Sequence, residues 1–181
     1  TNVVGSWIAR EADHVIYTWA GPEIAVASTK AYTTQMVILY LLATDMSMKF
    51  GEISREEYEN DIKSLYKIKK KIKEVLTYSD RVEAVADKIK NQTSMFYLGR
   101  GLDYVIAVEG ALKSKEISYI HSEAFASGEL KHGTIALIDD GVPVVINVTQ
   151  SNLFDKSVSN IKEVAARGAF VIAIAKEGNT L

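Results

Sequence analysis

Glu109, Lys113, Glu116, His121, Glu123, Glu129, Lys131 and His132 are among the titratable side chains packed into the 24 residues from Glu109 to His132, EGALKSKEISYIHSEAFASGELKH. Acids, ammonium groups and imidazoles set among small and apolar residues suit the movement of protons on a polar small molecule. Glu109, Lys113 and Glu116 stand at i, i+4 and i+7, which at about 100° per residue puts them on one narrow stripe of a helix. That spacing is equally that of an exposed Glu→Lys pair of slight stabilising value. The flanking Ala111, Leu112, Ile117 and Tyr119 predict a largely buried helix, where ionised groups need partners or a task. His132 lies between Gly128 and Gly133, a loop setting that exposes an imidazole, for a role or merely as surface. His121, after Tyr119 and Ile120, reads as a structural hydrogen-bonding residue with Glu123 as its partner.

The elements that must position these groups follow an α/β pattern from Met95 onward. Met95–Leu98 is a strand ending at Gly99, Arg100 and Gly101, and a helix follows from about Asp103 to Tyr119. Pro143–Val148 is a second strand with little alternation, as in a sheet covered on both faces. Asn152–Arg167 is a helix turning Leu153, Val158, Ile161 and Val164 inward, closed by Gly168, and Ala169–Ala175 is another buried-type strand. Alternation of this kind predicts a three-layer α/β fold with a doubly wound parallel sheet, whose ligands sit beyond the strand C-termini. Gly99 and Gly101 occupy that place and allow close backbone approach to an anion. The third glycine of a dinucleotide motif is missing, with Asp103 and Tyr104 in that region, and a plain turn accounts for the pair. No nucleotide or other cofactor is assigned.

The first half reads differently. Asp13–Tyr17 is a short strand, Gly21 and Pro22 a turn. Ser28 or Thr29 caps a helix running toward Phe50, with Gly51 past its end. Apolar residues surround that helix from Met36 to Ala43, which predicts burial. Ser54 and Glu57 form a capping box ahead of an amphipathic helix carrying Tyr58, Ile62, Leu65, Ile68, Ile72 and Val75. Its basic stretch, Lys67–Lys73, reads as a solvated face. A domain boundary falls near Leu76–Asp80.

Composition bounds the chemistry. The chain has 181 residues, 48% of them hydrophobic and 24% charged, and a formal net charge of −2; nothing in that balance favours nucleic acid or an anionic membrane. No apolar run is long enough to span a bilayer. Cysteine is absent, which removes disulfides, thiolate catalysis and Cys-bound metal. The three histidines, His14, His121 and His132, do not pair at i, i+4, so no metal site is expected. The chain opens on Thr1 and closes on Gly178–Leu181 behind an apolar run, and both ends read as cuts through a larger protein.

The motifs carry a resemblance. Glu109–Ala124, followed by GELKHG at Gly128–Gly133, resembles the isomerase half of the glucosamine-6-phosphate synthase family, the glutamine:fructose-6-phosphate aminotransferases (isomerising). Gly21–Gln35, GPEIAVASTKAYTTQ, resembles a segment of the same family's first sugar-isomerase (SIS) domain. The two matches stand in the right order, and the resemblance covers essentially the whole chain. It implies an SIS (flavodoxin-like) fold laid out as the C-terminal part of a first SIS domain at 1–50, a linker helix at 51–79 and a second SIS domain at 80–181 that stops short of its end. It implies that Glu116 moves a proton between C1 and C2 of the sugar. It implies that His132 assists ring opening from the neighbouring subunit, that Lys113 and Glu109 form the polar helix face beside them, and that Val26 and Ser28 contact the sugar phosphate. Fructose 6-phosphate and glucosamine 6-phosphate are the implied ligands, a homodimer the implied assembly, the cytoplasm the implied location and hexosamine synthesis the implied process; no nucleic acid, membrane or cofactor is implied.

The departures matter equally. The family's Ser/Thr-rich phosphate loop and its C-terminal imine-forming lysine have no counterpart here, and the glutaminase needs a cysteine nucleophile. The chain alone is therefore expected to be inactive as a synthase. The Asp13–Tyr17 strand and the Ser28–Phe50 helix are expected to complete the second repeat's sheet, within a chain or by exchange between chains. Runner-up readings are a fructosamine-phosphate deglycase-type SIS enzyme and a non-catalytic phosphosugar-binding regulator. The Glu116 and His132 pairing favours an enzyme over the regulator, because a module that only binds needs no base at carbon.

Overall fold

The capping box forms where its spacing predicts. Glu57 N–H donates to Ser54 Oγ at 3.2 Å and Ser54 N–H to Glu57 Oε2 at 2.8 Å, satisfying two helix-end donors that would otherwise lack partners. The computed structural model describes residues 1–179; Thr180 and Leu181, at the closing end of the chain, lie outside the described residues. The chain divides into two units, Thr1–Ala84 and Val85–Leu181. The first holds helices α1 (Trp7–Glu11), α2 (Thr29–Lys49) and α3 (Arg55–Leu76), and α4 (Ser79–Ile89) runs across the division.

Two expectations for the first unit are corrected. Asp13–Tyr17 is not a strand: Asp13 and His14 are bends, and Val15–Tyr17 carry no ladder. The apolar run is too short to compete with local partners. Thr1 ammonium donates to Ile16 O at 3.0 Å, Thr18 N–H donates to Thr1 O at 2.9 Å, and Asn2 Oδ1 accepts from Ala20 N–H at 2.9 Å. Among the described residues of this chain the segment pairs with no strand of the sheet. Nor is α2 buried. Thr44 is its one buried residue, and Leu39 and Tyr40 are 58% and 53% exposed. A helix apolar all round needs neighbours on every side, and within its unit the helix packed along α2 is α3, across the short Phe50–Ser54 connection.

The second unit is built on a four-stranded parallel sheet, β1 (Ser94–Gly99), β2 (His121–Ala126), β3 (Pro143–Val148) and β4 (Phe170–Ala175), in the order β2-β1-β3-β4. Side chains alternate between faces along each strand. Phe96, Leu98, Val144, Ile146 and Val148 point to one face, where Leu130, Ile138 and Val164 close the core. Met95, Tyr97 and Val145 point to the other, with Ile89 and Ile120. Helix α5 (Leu102–Ser118) covers that second face, and α6 (Phe154–Ala165) the first. The expected doubly wound parallel sheet is thus present.

β2 is a strand the sequence did not announce. It lies at the sheet edge and exposes His121 and Glu123 on one side while burying Ser122 on the other. His121 is 68% exposed and its Nε2 stands 3.9 Å from Glu123 Oε2. It is a surface residue with a loose ionic neighbour rather than a structural hydrogen-bonding one.

Gly99 is fixed by close approach. A Cβ there would lie 2.3 Å from Asp103 C and 2.4 Å from Tyr104 N, so β1 and the first turn of α5 can meet only without a side chain. Gly99→Ala is expected to lower stability by about 1–3 kcal/mol through overpacking, read as a lower midpoint of the far-UV unfolding transition in urea.

Candidate active site

Glu109, Lys113 and Glu116 do share one stripe of α5. Lys113 Nζ lies 2.8 Å from Glu116 Oε2 and 3.4 Å from Glu109 Oε1. The three side chains are 18–26% exposed, so the cluster is neither a solvated surface pair nor a sealed core group. The Glu116 hydrogen bond, against a partial loss of hydration, holds the Lys113 ammonium above the usual lysine pKa, with Glu109 adding to it. Lys113 therefore stays charged and fixes both carboxylates by a charge-assisted contact.

The stripe exists because α5 lies on the sheet by its small side. Ala107 and Ala111 are buried, a Cβ on Gly110 would stand 3.1 Å from the Tyr97 ring, and Tyr97 Oη bonds Ser114 Oγ. The expectation of a largely buried helix is corrected: Leu112, Ile117 and Tyr119 are exposed, at 42%, 66% and 91%. Small residues bring only one side of α5 onto the sheet, and the large apolar ones are left on the other.

His132 belongs to a different face. It ends the 3-10 turn Leu130–His132, is exposed, and carries no side-chain hydrogen bond or ion pair among the described residues. Its neighbour Leu130 sits in the core on the face opposite α5. Glu116, in the last turn of α5, is near the strand N-termini, where His121 N–H donates to Thr93 O at 3.1 Å. His132 follows β2, whose far end is marked by Ser127 N–H donating to Gly99 O at 2.9 Å. The sheet lies between Glu116 and His132 of the same chain.

Val26 and Ser28 are in the first unit. Val26 is 80% exposed. Ser28 is the N-cap residue of α2, with φ 48°, but its side chain makes no capping hydrogen bond. The expected side-chain cap is absent because the left-handed backbone aims the hydroxyl elsewhere, leaving it available.

Two polar arrangements were not foreseen. Asp103, only 4% exposed, accepts from Thr149 N–H at 2.9 Å and Thr149 Oγ1 at 2.5 Å, and its backbone carbonyl accepts from Asn147 Nδ2 at 3.1 Å. It ties the start of α5 to the end of β3. The second runs across α6: Arg100 Nε donates to Asn160 Oδ1 at 3.0 Å, Asn160 Nδ2 to Glu163 Oε2 at 3.1 Å, and Lys131 Nζ stands 3.0 Å from Glu163 Oε1. Burial works against the Glu163 carboxylate, but hydrogen bonds from Lys131, Asn160 and Ser159 prevail and hold its pKa below the usual value. Its long-range links, Lys131 to Glu163 and Arg100 to Asn160, join residues 32 and 60 positions apart, and only the α6 turn had a local signal. A crevice of about 220 Å³ also opens beyond β3, lined by Val148, Thr149, Gln150, Ser151, Phe154 and Asn179. None of the expected site residues lines it.

The sequence matches the family model SIS domain over residues 1–45 and 88–181. It is 55% identical over 179 residues to the glutamine–fructose-6-phosphate aminotransferase [isomerizing] of Caldanaerobacter subterraneus subsp. tengcongensis, covering 99% of this chain and 29% of that protein. It is 56% identical over 178 residues to the protein of the same name from Clostridium acetobutylicum, covering 98% and 29%. The C-terminal domain of glucosamine-fructose-6-phosphate aminotransferase from Francisella tularensis superposes with a TM-score of 0.95 at 40% identity, covering 97% of this chain and 49% of that one. The chain thus spans 29% of the length of these curated relatives.

Proposed function

We propose, because this chain belongs to the SIS domain family, that it forms part of the sugar-handling half of a glutamine:fructose-6-phosphate aminotransferase (isomerising). Fructose 6-phosphate is its substrate and glucosamine 6-phosphate its product. The observation that carries the reading is the Glu109–Lys113–Glu116 stripe, with Lys113 Nζ 2.8 Å from Glu116 and 3.4 Å from Glu109.

Once ammonia from glutamine has replaced the C2 carbonyl oxygen of the open-chain sugar as an imine, with loss of water, Glu116 takes a proton from C1; the C1–H electrons form the C1=C2 bond while the C2=N electrons move to nitrogen, which gains a proton. The proton on Glu116 then returns to C2 as the C1 hydroxyl gives up its own and becomes the C1 carbonyl, leaving the amine on C2. A general base of this kind must be held still within hydrogen-bond reach of its proton. Lys113 supplies that restraint, and Glu109 holds Lys113 from the previous turn. His132 assists ring opening at a site of the partner subunit, a role supported by its exposure and by the sheet that separates it from its own chain's Glu116. A cytoplasmic homodimer follows, in which each site draws on two chains. Ser28 and the backbone at Val26 contact the phosphate, consistent with a cap-position hydroxyl that makes no capping bond.

Calorimetric titration with fructose 6-phosphate and glucosamine 6-phosphate tests this in a complete synthase, obtained by exchanging this segment for the matching part of the Clostridium acetobutylicum protein. Saturable binding of both sugars, weakened by Glu116→Gln without unfolding, is the expected result. Failure of that synthase to make glucosamine 6-phosphate from fructose 6-phosphate and glutamine contradicts the assignment.

A further inference from the structure

In a 3-10 turn successive side chains are about 120° apart, so three residues divide the circle among them. Leu130–His132 is such a turn. Leu130 is fully buried in the core, Lys131 reaches α6, and His132 takes the remaining direction, outward. On the far side Gly133, with φ 136°, adds no steric restraint of its own. The imidazole has no partner among the described residues, so its aim is set by what holds the two residues before it.

We propose that Glu163 is a positioning residue for His132: by holding Lys131 against α6, it fixes the rotation of the turn that presents the imidazole. The inference rests on the reading of His132 as the ring-opening residue. Glu163 is itself well held. Ser159 Oγ donates to its Oε1 at 3.3 Å and Asn160 Nδ2 to its Oε2 at 3.1 Å. Asn160 is 4% exposed and accepts from Arg100 Nε at 3.0 Å. Arg100 is anchored in turn, its carbonyl accepting from Gln150 Nε2 at 2.6 Å. The position of the turn after β1 is in this way handed through α6 to Lys131. The low pKa of Glu163 keeps the anchor charged wherever the usual carboxylate is charged.

Lys131 is 67% exposed, and ion pairs with an exposed partner add little stability. Loss of the pair should therefore move the imidazole without unfolding the domain, which separates positioning from structural support. The test uses the complete synthase carrying this segment and two substrates. Fructose 6-phosphate closes into a furanose; 5-deoxyfructose 6-phosphate lacks the hydroxyl that closes that ring and stays open. Glu163→Gln and Lys131→Met are expected to lose about tenfold in kcat with fructose 6-phosphate, as for a modest misplacement of a catalytic group. KM and the rate with the 5-deoxy substrate stay near wild type, and Lys131→Arg, which keeps the cation facing Glu163, retains near-wild-type kcat on both substrates. Equal losses on both substrates, or no loss on either, overturn the inference. His132→Ala is run beside them. If it separates the substrates and Glu163→Gln does not, the positioning role fails alone. If His132→Ala does not separate them, the ring-opening reading fails, and the positioning role with it.

Discussion

Glu116→Gln, in a complete synthase carrying this segment, is expected to lower kcat with fructose 6-phosphate by about 10²–10⁴-fold, the usual contribution of a positioned acid or base. The substitution keeps side-chain length and a hydrogen-bond acceptor for Lys113, but a neutral amide does not take a proton from carbon. KM should change little, because the C1 proton moves only in the transition state. Thermal unfolding should move little as well, since Glu116 is 26% exposed and on the outer part of α5. The readout is steady-state glucosamine 6-phosphate formation, with deuterium at C1 of the sugar as a second observable: wild type releases or relocates the label, and the variant retains it. A variant with near-normal turnover would remove Glu116 from the chemistry.

The largest effect on stability is expected at Asp103. Asp103→Ala strips three acceptor contacts at once, from Thr149 N–H, Thr149 Oγ1 and the longer Gln150 N–H contact at 3.4 Å. Hydrogen bonds to a charged group contribute about 1.5–3 kcal/mol, and a buried donor left alone adds its own desolvation cost. We expect a loss of about 2–3 kcal/mol on that basis, with Asp103→Asn falling in between, because an amide can still accept from one backbone N–H while donating to the Thr149 hydroxyl. Both tryptophans, Trp7 and Trp19, lie in the first unit, so their fluorescence does not report on this one. Amide exchange at Thr149 and along β3 is the direct measurement. A double-mutant cycle with Thr149→Val should give a coupling energy well away from zero; independent, additive losses would mean the contact does not hold the end of β3 to α5.

Parts of this architecture were readable because the signal was local. Pro143–Val148 reads as a strand because a sheet covered on both faces leaves no alternating polar positions, and all six residues are indeed buried. The Glu109–Lys113–Glu116 stripe was readable because helical geometry fixes which residues share a side. The capping box at Ser54 and Glu57 was readable for the same reason.

What failed was context. His121–Ala126 carries a histidine, a serine and a glutamate, and became a strand only because β1 offered a free edge. Val15–Tyr17 has strand-forming side chains, but Ile16 O accepts from the Thr1 ammonium, and Thr18 and Ala20 just beyond bond to Thr1 and Asn2. Composition predicts burial of α2 because it says what a helix would bury and not what stands beside it. The ties from Asp103 to Thr149 and from Arg100 to Lys131 join residues 46 and 31 positions apart, and no spacing rule connects them. The separation of Glu116 from His132 by the sheet is likewise a property of the topology: their closeness along the chain suggests one site, whereas the faces they occupy fit the proposed site shared by two subunits.

That separation makes mixed dimers the most direct measurement. One subunit carries Glu116→Gln and the other His132→Ala, each nearly inactive by itself. If a site takes Glu116 from one chain and His132 from its partner, every mixed dimer holds one site with both residues intact. Random reassociation then restores about a quarter of wild-type activity, half the dimers being mixed and each having one of two sites. Activity no higher than the mean of the two parental variants would contradict the shared isomerase site.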